Sequence, residues 1–167
     1  MAHLHTALIR WRLGDADFLG KRYGRAHTWT FDGGLEVPAS SSPHVVPLPM
    51  SDASAVDPEE AFVASLSSCH MLWFLDIASR AGWAVESYED AAEGRMGRNG
   101  AGKLVLDVVT LRPRTRFAGA RMPDAAALTA LHHEAHEECF LANSVRCEIR
   151  CEIRCEPALA GSGAEGA

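Results

Sequence analysis

One stretch constrains the fold of this chain more than any other. Residues 57–82, "DPEEAFVASLSSCHMLWFLDIASRAG", run without a breaker from Pro58 to Gly82. Asp57 suits a helix N-cap, Pro58 the first helical position, and Glu60 stands three residues after the cap. At 1.5 Å per residue the helix spans roughly 35 Å. Around "MLWFL" it is apolar on nearly every side, which marks a central, buried helix. The rest of the chain must be built to cover it.

The flanking segments read as strands. "HTALIRWRL" is β-rich, and "AHTWTFDGG" alternates before a turn at Gly33 and Gly34. Between them "GDADFLGKRYGR" reads as a hairpin or bulged turn that exposes Arg22 and Arg25. "VPASSSPHVVPLPMSDASAVDP" is a Pro/Ser-rich loop, too short for a domain linker but long enough to cover a site. After the long helix come "WAVESYEDAAEGRM", the turn "GRNGAG" and "KLVLDVVTLRPR", again strand-like. A second helix is predicted from Pro123-Asp124 through "DAAALTALHHEAHEECF", with Asn143 suited to end it. This order predicts an α+β fold rather than alternating βαβ units. The length of 167 residues fits a single domain over residues 1–160, with a frayed tail at 161–167.

Composition narrows the functions. A net charge of -6 advertises no basic surface, so neither nucleic acid nor an anionic membrane is an expected partner. No apolar run reaches the ~18 residues of a membrane span. The N-terminus lacks a secretory pattern, so a cytoplasmic location with reduced thiols is expected. Five cysteines, an odd number, also disfavour a closed disulfide framework.

Three of those cysteines fall in "RCEIRCEIRC", residues 146–155, where CEIR occurs twice in tandem. Read as a strand, Val145, Cys147, Ile149, Cys151, Ile153 and Cys155 share one face, and Arg and Glu fill the other. Cysteines four apart on a strand are about 13 Å apart. That is too far for a disulfide between neighbours, or for one tetrahedral metal to gather all three. The three read as small core residues.

Cys69 lies in the middle of the long helix and Cys139 near the end of the second. A lone helical cysteine is ordinarily core. A mid-helix position is also too far from the helix N-terminus for its dipole to lower the thiol pKa. A reactive Cys69 therefore needs a cation from another segment, and Arg25 or Arg22 is the natural supplier.

Here the sequence resembles the OsmC/Ohr family, the osmotically inducible and organic hydroperoxide resistance proteins. "VDPEEAFVASLSSCHML" resembles the family's central-helix motif, with Glu59 ten positions before Cys69. "HEECFLANSV" resembles the surroundings of the second family cysteine, and "GKRYGRAHTWTFDGG" the hairpin with the catalytic arginine. The resemblance implies antiparallel sheets around two long central helices in an intertwined homodimer, with active sites at the subunit interface. It implies a cysteine-based peroxidase acting on organic hydroperoxides, reset by a dithiol reductant (lipoyl protein, thioredoxin or small thiol), with neither cofactor nor metal. Cys69 would be the peroxidatic thiolate and Cys139 the resolving thiol. Glu59 would orient an arginine that stabilises the thiolate. Counting back from "FDGG" favours Arg25, whereas matching Gly20-Lys21-Arg22 favours Arg22. The tandem CEIR departs from the family pattern as a four-residue insertion that preserves strand parity.

Two rival readings stand beside this one. In "LHHEAHEEC", His132, His136 and Cys139 share roughly one helical face, and Glu or His70 could complete a zinc site. Under the peroxidase reading, His136 would instead tune Cys139. The other rival is a non-enzymatic protein of the same fold that binds a small lipophilic ligand.

Overall fold

The computed structural model describes residues 3–155. The expected tail at 161–167 lies outside them. Among the described residues the architecture is α+β, with two α-helices and three three-stranded sheets. Contacts divide the chain into two compact units that meet at residues 62 and 63.

The N-terminal unit holds β1 (Ala7–Arg10), β2 (His27–Phe31) and β3 (Glu36–Ala39), paired antiparallel in that order. The β2–β3 turn is the anticipated one, with Gly34 at φ 83°, where glycine carries no Cβ penalty. The long loop after β3 is tied down. Ala39 bridges Val56, and the Ser40 hydroxyl accepts from the Asp52 N–H at 2.9 Å. Asp57 then caps α1 (Pro58–Arg80) by the expected capping box. The Glu60 N–H donates to the Asp57 carboxylate at 2.8 Å, and Glu60 accepts in return from the Asp57 N–H at 3.2 Å.

Beyond residue 62, α1 presents Leu66, His70, Phe74, Ile77 and Ala78 as one buried stripe. It is long and apolar enough in composition to pass for a membrane span, yet this stripe carries the core of the unit. Gly82 ends the helix at φ 78°, with Gly82 N–H bonded to Ser79 C=O and Trp83 N–H to Ala78 C=O, the Schellman arrangement. β4 (Val85–Asp90) and β5 (Glu93–Arg98) follow as two strands, where the sequence suggested one run. Likewise β6 (Leu104–Leu111) and β7 (Pro113–Phe117) divide at Arg112. That arginine binds Glu93 and Glu152 at 3.0 Å each, joining the two breaks. At Gly94 a Cβ would lie 2.6 Å from Val63 Cγ2, so glycine is what lets β5 approach α1 this closely.

α2 (Ala125–Glu138) begins at the Asp124 cap, whose carboxylate accepts from Ala127 N–H at 2.8 Å. Leu128, Leu131 and Ala135 pack with Phe74, Ile77, Ala78 and Phe117 to form the core. The chain returns as β8 (Glu148–Cys151) and β9 (Arg154–Cys155). Both pair parallel, β8 with β6 and β9 with β7, so two of the sheets are mixed and not purely antiparallel as expected. Register explains how the repeat fits. Leu111 faces Cys151 and Arg114 faces Arg154, so the second CEIR copy carries the strand from β6 to β7 without a bulge. From Val145 to Ile153 half-buried and exposed residues alternate strictly, as the binary pattern required.

Candidate active site

Among the contacts that join α1 to α2 and its cap in the C-terminal unit, two pairs carry groups with chemistry. In the first, the Cys69 and Cys139 thiols lie close enough to interact. Cys139 is the C-cap residue of α2, and its N–H donates to His136 C=O at 3.3 Å. Chain reversal through a single 3₁₀ turn (Ala142–Ser144) holds it there, with Ala142 N–H donating to the Cys139 sulfur at 3.4 Å. Asn143 reaches back to Glu137 C=O at 2.7 Å, which satisfies a last-turn carbonyl and fixes the helix end. Cys139 is 1% exposed. Burial, then its hydrogen bond with Cys69, raises its thiol above the ordinary value. Cys69 is half-buried, and both thiols are free. Beside the pair, Trp73 and Phe140 meet edge-on with centroids 5.4 Å apart, and Phe140 is 69% exposed.

The second pair brings together two histidines that the zinc reading had named, without His136 or Cys139. His70 Nε2 and His132 Nδ1 lie 3.0 Å apart in parallel rings, each residue 1% exposed. His132 therefore faces His70 and not a site with His136 and Cys139, because the 3.6-residue period puts it on the buried side with Leu128, Leu131 and Ala135. The α1 spacing of Leu66, His70 and Phe74 would have shown His70 pointing inward. Burial holds both imidazoles neutral. His70 is pushed down to about 4, with His136 adding to the effect, and His132 to about 3, with His70 adding.

The remaining predicted residues belong to the N-terminal unit. Arg22 is on the surface, bonded to Asp17 at 2.5 Å with its side chain 78% exposed. Arg25 is half-buried rather than exposed as expected, because its guanidinium lies over the Tyr23 ring, 3.8 Å from the centroid, and donates to Tyr23 C=O. It lines a hollow of about 450 Å³ with Leu48, Met50 and Asp52. Glu59, in the first turn of α1, is half-buried and leaves the capping role to Glu60.

A fold of this topology with this central helix defines a family. The model described as OsmC-like protein matches residues 51–154. The chain belongs to the OsmC-like protein family. It is similar to an OsmC-like protein of unknown function from Vibrio cholerae, with 51% identity and a TM-score of 0.89 over 92% of this chain and 100% of that one. An organic hydroperoxide resistance protein OsmC from Legionella pneumophila is 17% identical, with a TM-score of 0.66 over 94% of this chain and 99% of that one. The organic hydroperoxide resistance protein OhrB of Bacillus subtilis is 18% identical, with a TM-score of 0.61 over 92% and 98% of the two chains. At such identities the likeness is one of fold. No curated protein sequence matches the chain.

Proposed function

We propose that this protein is a cysteine-based peroxidase that reduces organic hydroperoxides in oxidative stress defence, with Cys69 as peroxidatic and Cys139 as resolving residue. The observation that carries the reading is the contact between the two thiols, which come from different helices and lie 70 positions apart in sequence. Membership of a family that includes proteins named for organic hydroperoxide resistance supports the substrate class.

In the proposed cycle the Cys69 thiolate attacks the terminal peroxide oxygen, and the O–O bond breaks. The alkoxide leaves as alcohol after taking a proton, and Cys69 becomes a sulfenic acid. Cys139 sulfur attacks the sulfenic sulfur, water leaves, and a disulfide forms before further oxidation can occur. A dithiol reductant then restores both thiols by exchange. The thiolate is the nucleophile, so a guanidinium is needed to favour it. Arg25 takes that role in our reading because Arg22 is already paired with Asp17 at the surface. Glu59 fixes the guanidinium through a carboxylate pair. The Trp73–Phe140 face receives the organic part of the peroxide. We place the protein in the cytoplasm as a homodimer, in keeping with the exposed Leu8, Ile9, Phe18 and Leu19 of the N-terminal unit, which are 47–91% exposed.

The test is turnover of cumene hydroperoxide with a dithiol. Cys69→Ser should fall to the rate of buffer alone, and Cys139→Ser should accumulate a sulfenic acid that a dimedone probe labels at Cys69. Arg25→Lys should lose far more activity than Arg22→Lys, because a forked donor set is not replaced by an ammonium. Full activity in Cys69→Ser would exclude the reading.

A further inference from the structure

The His70–His132 pair takes no part in the cysteine chemistry, and its setting calls for another explanation. Each imidazole satisfies one nitrogen against the other, which leaves His70 Nδ1 and His132 Nε2 buried without a hydrogen-bond partner. An orphaned buried polar atom destabilises a fold, because it has given up its water without gaining a partner. Here two occur within one pair, and the Tyr88 hydroxyl beside them is orphaned as well. The third neighbour is a thiol. His70, His132 and Cys151 each offer a ligand atom within 4.8 Å of those of the other two.

The geometry points to a transition-metal site at His70, His132 and Cys151, with zinc as the ion it fits best. Two imidazole nitrogens on a tetrahedral zinc stand about 3.3 Å apart, given Zn–N bonds of about 2.0–2.1 Å. The facing nitrogens are already 3.0 Å apart; ligation would replace their mutual hydrogen bond, with the N–H protons carried on the outer nitrogens, His70 Nδ1 and His132 Nε2. Two neutral imidazoles and one thiolate form a borderline-soft donor set that suits zinc better than magnesium or calcium. Three elements deliver the donors: α1, α2 and β8. Three protein ligands leave the fourth position for an exogenous ligand.

Charge balances as well. Asp90 acts electrostatically on His70, Tyr88 and Cys151. It is held by Ser67 Oγ–H at 2.5 Å and Arg112 N–H at 2.6 Å, so it serves as a fixed counter-charge near the ion. Without metal, burial and then Asp90 push the Cys151 thiol up to about 12. Zinc entry expels that proton to solvent, so each ion bound releases one. The dipositive ion is then neutralised by one thiolate and one carboxylate.

The experiment is a titration of chelator-treated, reduced full-length protein with Zn²⁺ against a competing chromophoric chelator, and with Co²⁺ as an optical probe. We expect one equivalent per chain, one proton released, and a thiolate-to-cobalt charge-transfer band. Cys151→Ser and His132→Gln should each weaken zinc binding at least tenfold, and Cys151→Ser should remove the band. The double variant Cys69→Ser/Cys139→Ser should keep the band, which separates this site from the peroxidase reading. Alkylation of unaltered protein, mapped by mass spectrometry, tests the same point without a variant: zinc should protect Cys151. Absence of stoichiometric binding, or protection of Cys69 and Cys139 instead of Cys151, would overturn the inference.

Discussion

Cys69 and His70 are consecutive residues of α1, and each meets a partner from α2 or its cap, yet the two encounters differ in kind. Successive helical residues point about 100° apart, which here separates the rim of the core from its interior. The sulfur pair lies at the rim: Cys69 is half-buried and Phe140, next to Cys139, is largely exposed. The imidazole pair is shut in, with Phe74 stacked on His132 at 4.3 Å between centroids. Neighbours in sequence are thus given different chemistry by burial alone. A thiol that must meet a solute needs the rim. Imidazoles that hold an ion, or simply each other, can sit where water is excluded.

If that contrast is right, removing one member of each pair should damage different properties. His132→Ala leaves His70 without its partner and opens a cavity under Phe74, for a stability loss of about 3 kcal/mol. Hydroperoxide turnover per folded molecule should survive it. Cys139→Ser should cost only about 1 kcal/mol, since a hydroxyl can still accept from Ala142 N–H, but should break the catalytic cycle. Denaturant unfolding paired with turnover assays reads both. Equal stability losses, or a His132→Ala protein that is folded and inactive, would erase the distinction.

Within the sulfur pair a smaller contrast is expected. Cys139 is almost fully buried and its thiol is raised, so it ionises only above the usual range, whereas Cys69 is partly open to solvent. Iodoacetamide at pH 8 should therefore label Cys69 faster than Cys139, by on the order of tenfold or more. The sign with pH follows from the raised value: the Cys139 rate should still be climbing above pH 9. Mass spectrometry of tryptic peptides over a pH series measures both rates. Labelling of Cys139 first would place the reactive thiol on the wrong helix.

Much of this was legible in the residues, and the part that was not has a physical cause. The cap at Asp57, the glycine stop at Gly82 and the Asp124 cap are local devices, so sequence displays them directly. The alternation from Val145 to Ile153 is equally local. Parallel pairing of β8 with β6 joins segments about 40 residues apart and leaves no mark on either strand alone. The break at Arg112 depends on two acids distant in sequence, Glu93 and Glu152. The convergence of Cys69 with Cys139 came from the family pattern and not from spacing. Of the histidine grouping, only the optional member His70 meets His132, because a shared helical face with His136 and Cys139 says nothing about which neighbour that face meets.

The smallest effect is expected from removing Cys151–Arg154. The shortened chain reads Arg150-Cys155, so a cysteine again follows Arg150 and falls opposite Leu111, where Cys151 stood. Parity is kept because four residues are removed. What is lost is the pairing of β9 with β7 and the contact of Ile153 with the core. A single partly buried isoleucine at the edge of a core is worth about 1 kcal/mol. The variant should unfold at slightly lower denaturant, consume hydroperoxide at the rate of the full chain, and still bind zinc through the cysteine now in the register position. If turnover fell while zinc binding held, strand and sulfur pair would be coupled through α1. If zinc binding alone were lost, the ligand would be tied to the backbone of the second repeat and not merely to a cysteine at that position.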